Sequence, residues 1–441
     1  MIRESTINLI GGILPAGVSL VCIPLILQKH GDVFFGIYSL QTALLMVVGL
    51  MDLGLSRGIL LVTYDRALNP NGMPDVPFKA GMRLTYMVAF SVLCLSLGIL
   101  LAVEYFRPAT SDVKISTALH VISGALTVLT LPYRALLEIK SKFGVLNIIR
   151  SLLACSIPMA PLLPGIGIEN VLTVSAVYVL FIRIIGLFAY KTYSRVQSMN
   201  LDRLAKPERA WQKAFVRRCG WVGLTNIGSL ILTYADRILL GSMASASALA
   251  SFVVAHELAT KIWMVTGAVL SATMPRVAAE MLKKQQNDLL DTPKSLTQVR
   301  LLIIFVIIFP SMILAALLKS ILIIWLGKGY GLEIEIAGKI LIAGIALNSM
   351  SQLNFGLLQF HKGESQGAQL QLFNIILAAF LMALLIPTYG AVGAAVAFSL
   401  RLVIDSFATR FLLGYKTNSK EGFSCRDMTI VIIVFLIILI K

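Results

Sequence analysis

The sequence predicts an all-α polytopic membrane protein with about twelve transmembrane helices. Three observations carry that expectation. Hydrophobic residues make up 57% of the 441 and charged residues only 14%, against about 25% charged in a soluble domain. The deficit runs along the whole chain, so lipid is the solvent for most of it and no stretch is left for a separate soluble domain. The apolar runs are continuous, whereas a transmembrane barrel needs alternation. Lipid cannot satisfy backbone N–H and C=O groups, so these runs must be helices.

In chain order the expected spans of the first half are 7–27, 36–61, 82–103, 115–137, 145–164 and 169–190. A basic linker, 191–213, follows. The second half has 217–242, 248–275, 298–318, 336–360, 366–387 and 390–413. The first run has one early arginine and no small-residue cleavage site after it, so we read it as an uncleaved span. The last apolar run, 428–440, is about 20 Å long as a helix, short for a full crossing; a short thirteenth span and an interfacial piece both fit. The organisation expected is an N-terminal lobe 1–190, the linker 191–213, a C-terminal lobe 214–414 and a tail 415–441. Faint internal similarity accompanies the halves: Asn8-Leu9-Ile10-Gly11 opens one and Asn226-Ile227-Gly228-Ser229 sits similarly in the other. No disulfide is expected, since none of the five cysteines has an evident extracytoplasmic partner.

The charges orient the bundle. With the N-terminus inside, cytoplasmic loops collect about 23 Lys and Arg and external loops about 6. The linker region supplies Lys191, Arg195, Arg203, Lys206, Arg209, Lys213, Arg217 and Arg218. The net charge of +16 is therefore a topology signal. It points to no nucleic acid, because no basic soluble surface with interleaved aromatics exists. External loops are tiny, as in Gly165–Glu169 and Gly241–Ser247, which leaves nothing for the large external loop of membrane glycosyl polymerases.

Enzyme signatures fail on spacing. Gly327-Lys328-Gly329 lacks the phosphate-loop pattern, and in His256-Glu257-Leu258-Ala259-Thr260 a threonine stands where a zinc helix needs its second histidine. No serine nucleophile elbow is present. With four histidines in the chain, we expect no metal site, no catalytic residue and no cofactor.

Ionisable residues inside spans cost at least about 3 kcal/mol each on insertion scales, so they face a partner or a cavity. Arg57, Arg134 and Arg150 lie near cytoplasmic helix ends, and with Asp52 they would form a cytoplasmic vestibule; snorkelling also explains the arginines. Arg183 is deeper, about 18 Å along its helix. Asp236 and Arg237 are adjacent on span seven, His256, Glu257 and Lys261 lie on span eight, and Arg401 and Asp405 on span twelve. Glu257–Lys261 and Arg401–Asp405 are i,i+4, so each pair shares a face. Such pairs lock helices together or line a cavity. Basic residues (Arg57, Arg134, Arg150, Arg183, Arg237, Lys261, Arg401) outnumber acidic ones (Asp52, Asp236, Glu257, Asp405), and the surplus suits an anionic substrate. The candidate substrate cavity is thus Arg183, Asp236, Arg237, His256, Glu257, Lys261, Arg401 and Asp405. The polar stripe Asn348, Ser349, Ser351, Gln352, Asn354 and Gln359 on span ten either binds sugar hydroxyls or joins helices, the second being the commoner use.

Several stretches carry a family likeness. Asn8–Gly12, Pro24, Gly36-Ile37-Tyr38-Ser39-Leu40 and Asp52-Leu53-Gly54-Leu55-Ser56 resemble the opening of the polysaccharide-unit (O-antigen, Wzx-type) flippases. Tyr234–Gly241, continuing to Pro275, resembles that family's second-half opening, and Leu385–Gly393 its late-span signature. The resemblance runs across nearly all twelve spans. It implies the multidrug/oligosaccharidyl-lipid/polysaccharide exporter fold, two six-helix lobes about a central cavity. It implies a bacterial inner-membrane flippase for undecaprenyl-pyrophosphate-linked oligosaccharide units, with membrane lipid and polysaccharide polymerase machinery as further partners. Asp52 and Asp236 match motif positions of the family. The short C-terminal run departs from the fourteen-span relatives such as lipid II flippases. The alternative is a multidrug or cation antiporter of the same fold, which would favour carboxylates in its cavity.

Overall fold

A computed structural model describes residues 2–50, isolated positions between 86 and 98, and 110–139, 142–163, 169–195, 232–286, 294–327, 329–360, 364–417 and 422–440. Every extended element among the described residues is helical. The chain divides into two compact units, Met1–His30 with Ile37–Tyr234, and Gly31–Gly36 with Ala235–Lys441.

In the first unit α1 spans Ile2–Leu50, α2 Ser111–Ile139, α3 Phe143–Met159 and α4 Val171–Arg195. A continuous helix the length of α1 would run about 73 Å, against a hydrocarbon core of about 30 Å. It breaks instead at Gly31 (φ 81°, ψ 174°), a left-handed conformation that glycine alone adopts cheaply. The expected spans 7–27 and 36–61 fall on its two sides, the second as far as the described residues extend. Polar side chains sew this unit together inside lipid. Tyr38 Oη donates to the Ile157 carbonyl at 2.7 Å, tying α1 to α3. Gln41 Nε2 donates to Ser116 Oγ at 2.7 Å and Thr117 Oγ1 at 3.0 Å, tying α1 to α2. Asp112 accepts from the Thr173 amide and hydroxyl, tying α2 to α4. An apolar cluster of Tyr133, Leu137, Leu146, Ile149, Leu153 and Tyr190 fills the space among α2, α3 and α4.

A helical stretch at 232–243 enters the second unit at Ala235. The unit continues with α5 (Ala246–Ala259), α6 (Lys261–Gln286), α7 (Lys294–Ile303), α8 (Phe309–Leu326), α9 (Leu332–Phe360), α10 (Glu364–Thr417) and α11 (Cys425–Ile440). Ser245 caps α5 by accepting from the Ala248 amide at 3.1 Å. A π-helical turn, Ile304–Ile308, joins α7 to α8 just before Pro310. Proline has no N–H and its ring presses on the carbonyl four residues back; a wider turn there removes the clash. α10 repeats the device of α1: its 54 residues would run about 80 Å if straight, and it breaks at Gly390 (φ 52°, ψ −125°). Gly31–Gly36 also packs here, with Asp32 accepting a hydrogen bond from the Ser247 hydroxyl.

α9 is the second unit's central helix, packed on α5, α6, α8, α10 and α11. It approaches α10 closely at Gly344, where a Cβ would lie 2.6 Å from Ser399 Cβ. Eight helical segments among the described residues are long and apolar enough to cross a membrane. Two of them, Ile13–Gly49 and Gln369–Tyr415, contain the glycine breaks, so they supply two crossings each and the eight become ten. The remaining expected spans, 82–103 and 217–242, lie largely outside the described residues. So does the linker beyond Arg195.

Candidate functional site

Three of the eight expected cavity residues form a cluster at the junction of α5 and α6 in the second unit. Arg237 projects from the 232–243 helix, and its Nη2 donates to Glu257 Oε1 at 3.0 Å. Lys261 Nζ reaches the other oxygen, Oε2, at 3.0 Å. One carboxylate thus bridges two cations, and the trio keeps a net charge of +1 (two positive, one negative). It is not sealed: the side chains of Arg237, Glu257 and Lys261 are 12%, 23% and 26% exposed. Glu257 and Lys261 meet because Thr260 keeps a right-handed conformation between α5 and α6, so the i,i+4 register survives the junction. Arg237 joins them from a separate helix, which spacing alone does not reveal.

Asp236 lies beside the trio, fully buried. Its Oδ1 accepts the Arg237 amide at 2.8 Å, while Oδ2 makes no hydrogen bond and sits 3.8 Å from His256 Nε2. The His256 ring is stacked on Phe252 (centroids 5.4 Å, 27°) and meets Phe398 edge-on (5.2 Å, 85°). Arg401, on α10, places its guanidinium carbon 5.0 Å from the Phe398 ring centroid. In this conformation Asp236, His256 and Arg401 present almost no surface to a ligand.

The Arg401–Asp405 pair does not close. Spacing puts both on one face, but among the described residues Asp405 is held by amides instead: Asn374 Nδ2 donates to Oδ1 at 2.6 Å and Asn348 Nδ2 to Oδ2 at 3.3 Å. Two neutral donors satisfy the buried carboxylate without burying a second charge, and Arg401 turns to the Phe398 face. Asn374 was not singled out by the sequence; an amide in mid-span, on the other side of the Gly390 break from Asp405, was the available signal.

The other expected residues fall in the first unit. Arg183 is buried on α4, and the Nε atoms of Arg183 and of Arg134, on α2, are buried without a hydrogen-bond partner. Arg150 is exposed on α3. Arg134, Arg150 and Arg183 all lie within electrostatic reach of the buried Tyr190 hydroxyl, with Glu138 as the accompanying carboxylate. Asp52 and Arg57 lie outside the described residues. Sequence reasoning passed over a polar group beside Arg183: His120 is fully buried, donates from Nδ1 to the Ser116 carbonyl at 2.8 Å, and meets the Tyr38 ring edge-on at 5.6 Å.

Ser349 and Asn354 of the span-ten stripe join helices, while the Gln359 side chain lies outside the described residues. Ser349 Oγ and Thr266 Oγ1 lie 2.9 Å apart, tying α9 to α6. Asn354 accepts the Phe423 amide at 2.8 Å and donates to its carbonyl at 3.2 Å, clasping the turn that leads into α11. Arg300 adds a 3.2 Å ion pair to Asp427 and lies over the Phe423 ring.

The fold defines a multi-pass helical membrane protein with a charged interior. Comparison with known proteins gives the class a name. The chain has the fold of the MOP superfamily of transporters. It aligns with the structure of the lipid II flippase MurJ in an inward closed conformation at a TM-score of 0.65 and 14% identity, covering 100% of this chain and 92% of that one. An inward-facing multidrug resistance MATE family transporter of the MOP superfamily aligns at 0.60 and 14%, covering 95% and 96%. The Vibrio cholerae MATE transporter VcmN gives 0.60 and 11% over the same shares. Among curated proteins, a Shigella flexneri protein named "Putative O-antigen transporter" is 23% identical over 421 residues, covering 93% of this chain and 97% of that protein. The resemblance to polysaccharide-unit flippases read from the motifs therefore holds along nearly the whole chain. No family model matches.

Proposed function

We propose that this protein flips undecaprenyl-pyrophosphate-linked oligosaccharide units, of O-antigen or a similar surface polysaccharide, from the cytoplasmic to the periplasmic leaflet of a bacterial inner membrane. The carrying observation is the part-exposed Arg237–Glu257–Lys261 trio, in which two cations share one carboxylate within the membrane. A pyrophosphate diester brings two negative charges, and two nitrogens already held 3.0 Å from carboxylate oxygens can exchange those oxygens for phosphate ones. Arg401, nearly buried in the same unit, adds positive field behind the contact. Arg134 and Arg150, with Asp52 and Arg57, form the cytoplasmic entry. The likeness to the Shigella protein supports the oligosaccharide class. A flippase breaks no bond, so rocking of two lobes around a cavity suffices. The N-terminus and the 191–213 linker are cytoplasmic, as the Lys/Arg bias requires, and the polymerase machinery takes over the flipped unit.

Deletion of the gene is the test. Surface polysaccharide should be lost, and lipid-linked units should build up in the cytoplasmic leaflet. Unchanged surface polysaccharide together with raised drug sensitivity would give the protein to the antiporters.

A further inference from the structure

We propose that Cys22 and Cys155 form a modification site, a thiol pair that a membrane-dissolved two-electron oxidant of the quinone class joins into a disulfide bracing α1 against α3. The expectation of no disulfide looked for partners outside the membrane; this pair meets inside it. Both thiols are free and buried in the first unit. Two hydrogen bonds set the register of their helices. Lys29 Nζ donates to the Leu162 carbonyl at 3.2 Å, and His30 Nε2 to the Pro161 carbonyl at 2.8 Å, in the single turn, Ala160–Leu162, that extends α3. The expected spans 7–27 and 145–164 cross the membrane in the same direction, so the two helices run back side by side from that anchored end. Lys29 follows Cys22 by seven residues, and Leu162 follows Cys155 by seven. Seven residues make almost two whole turns, so each cysteine lies about 10 Å below its anchor and at nearly the same angular position on its helix. The thiols are therefore level, and they stand within electrostatic reach of each other. No group of three or more His, Cys, Asp or Glu that could hold a metal occurs among the described residues, so the pair offers a metal only two ligands.

The seam that holds the pair is open to lipid. Val21 and Leu25 beside Cys22 are exposed, and so are Leu152 and Met159, one turn to either side of Cys155. On a membrane helix these side chains meet acyl chains. A thiol in apolar surroundings stays protonated and reacts slowly with water-borne reagents, whereas an oxidant dissolved in the bilayer comes to the seam directly. In the reaction two S–H bonds break and one S–S bond forms. Two electrons and two protons pass to the quinone, which leaves as the hydroquinone. The product carries no charge and no unsatisfied donor, so it costs nothing to keep in lipid. The bond closes a long loop of the unfolded chain, which stabilises the folded unit.

The test uses the full chain in nanodiscs, with a protease site inserted between the expected spans 36–61 and 82–103. Cys22 is then the only cysteine in the N-terminal fragment. A short-tailed ubiquinone, whose fully substituted ring cannot alkylate thiols, should hold the cut fragments together in denaturing gels until reductant is added. Peptide mapping should find Cys22 joined to Cys155. Cys155→Ser should abolish the linkage, and Cys94→Ser and Cys425→Ser should leave it. Tetrathionate, a charged oxidant confined to water, should act at least about tenfold more slowly. Oxidised uncut protein should unfold about 5 °C higher than reduced protein, a shift absent from Cys155→Ser. Fragments that separate after both ubiquinone and copper–phenanthroline treatment overturn the site. Linkage by copper–phenanthroline alone, or by tetrathionate as fast as by ubiquinone, overturns the quinone route. Mapping of Cys22 to any other cysteine overturns the pairing, and this wild-type result decides even if Cys155→Ser folds poorly. A bond that forms without raising the unfolding temperature overturns the brace.

Discussion

Replacing Glu257 by glutamine separates a structural ion pair from a ligand site, because the two readings predict opposite signs. Glu257 accepts from Arg237 and Lys261 at 3.0 Å each. Charge-assisted hydrogen bonds are worth about 1.5–3 kcal/mol apiece, and partial exposure of all three side chains brings each towards about 1 kcal/mol. A glutamine oxygen retains one of the two donors, so the variant should lose about 1–2 kcal/mol of stability and still fold. Binding of an anion should change the other way. Removing the negative charge raises the trio from +1 to +2. One unit charge at about 8 Å in a medium of effective dielectric about 20 is worth about 2 kcal/mol, and screening by solvent reduces it. The lipid-linked glycan should therefore bind about tenfold tighter, while its release, and with it turnover in proteoliposomes, slows. Thermal unfolding in detergent, equilibrium binding in nanodiscs and flipping in proteoliposomes read the three quantities. A folded Glu257→Gln protein that binds the glycan no better, or more weakly, would refute the reasoning and return Arg237 and Lys261 to a purely structural role.

Asn354→Ala should cost about 2–4 kcal/mol, because it strips both backbone partners from buried Phe423; hydrogen exchange should rise through 423–440 before it rises in α9. Arg401→Ala should abolish flipping at normal protein levels, and Arg401→Ala/Asp405→Ala should not restore it, since Asp405 is already held by Asn348 and Asn374; recovery in the double variant would make Arg401 a structural partner. A reporter fused at Ala205 should be active in the cytoplasm, and periplasmic activity there would overturn the orientation read from the Lys/Arg bias.

What the sequence made legible follows from which interactions are local. Lipid forces every backbone group into a helix, so apolar run length sufficed to find the helices. The two long ones break at Gly31, in the gap between expected spans 7–27 and 36–61, and at Gly390, the first residue of expected span 390–413. The Glu257–Lys261 contact was legible for the same reason, because its register is internal to the chain. Arg237 reaching Glu257 across 20 residues was not, since it depends on where one helix lies against another. Arg401 and Asp405 mark the limit of register arguments. An i,i+4 spacing decides that two side chains share a face; competition for the acceptor decides whether they meet. There an amide 31 residues away won, because a neutral donor satisfies a buried carboxylate without the desolvation of a second ion. The same rule explains the span-ten stripe: Asn354 offers a donor and an acceptor together, and a helix entry whose amide and carbonyl are both buried is the partner that uses both. Charges left part-exposed after such local accounting are the ones a ligand can reach, and in the second unit the Arg237–Glu257–Lys261 trio meets that condition while Asp236, His256 and Arg401 do not.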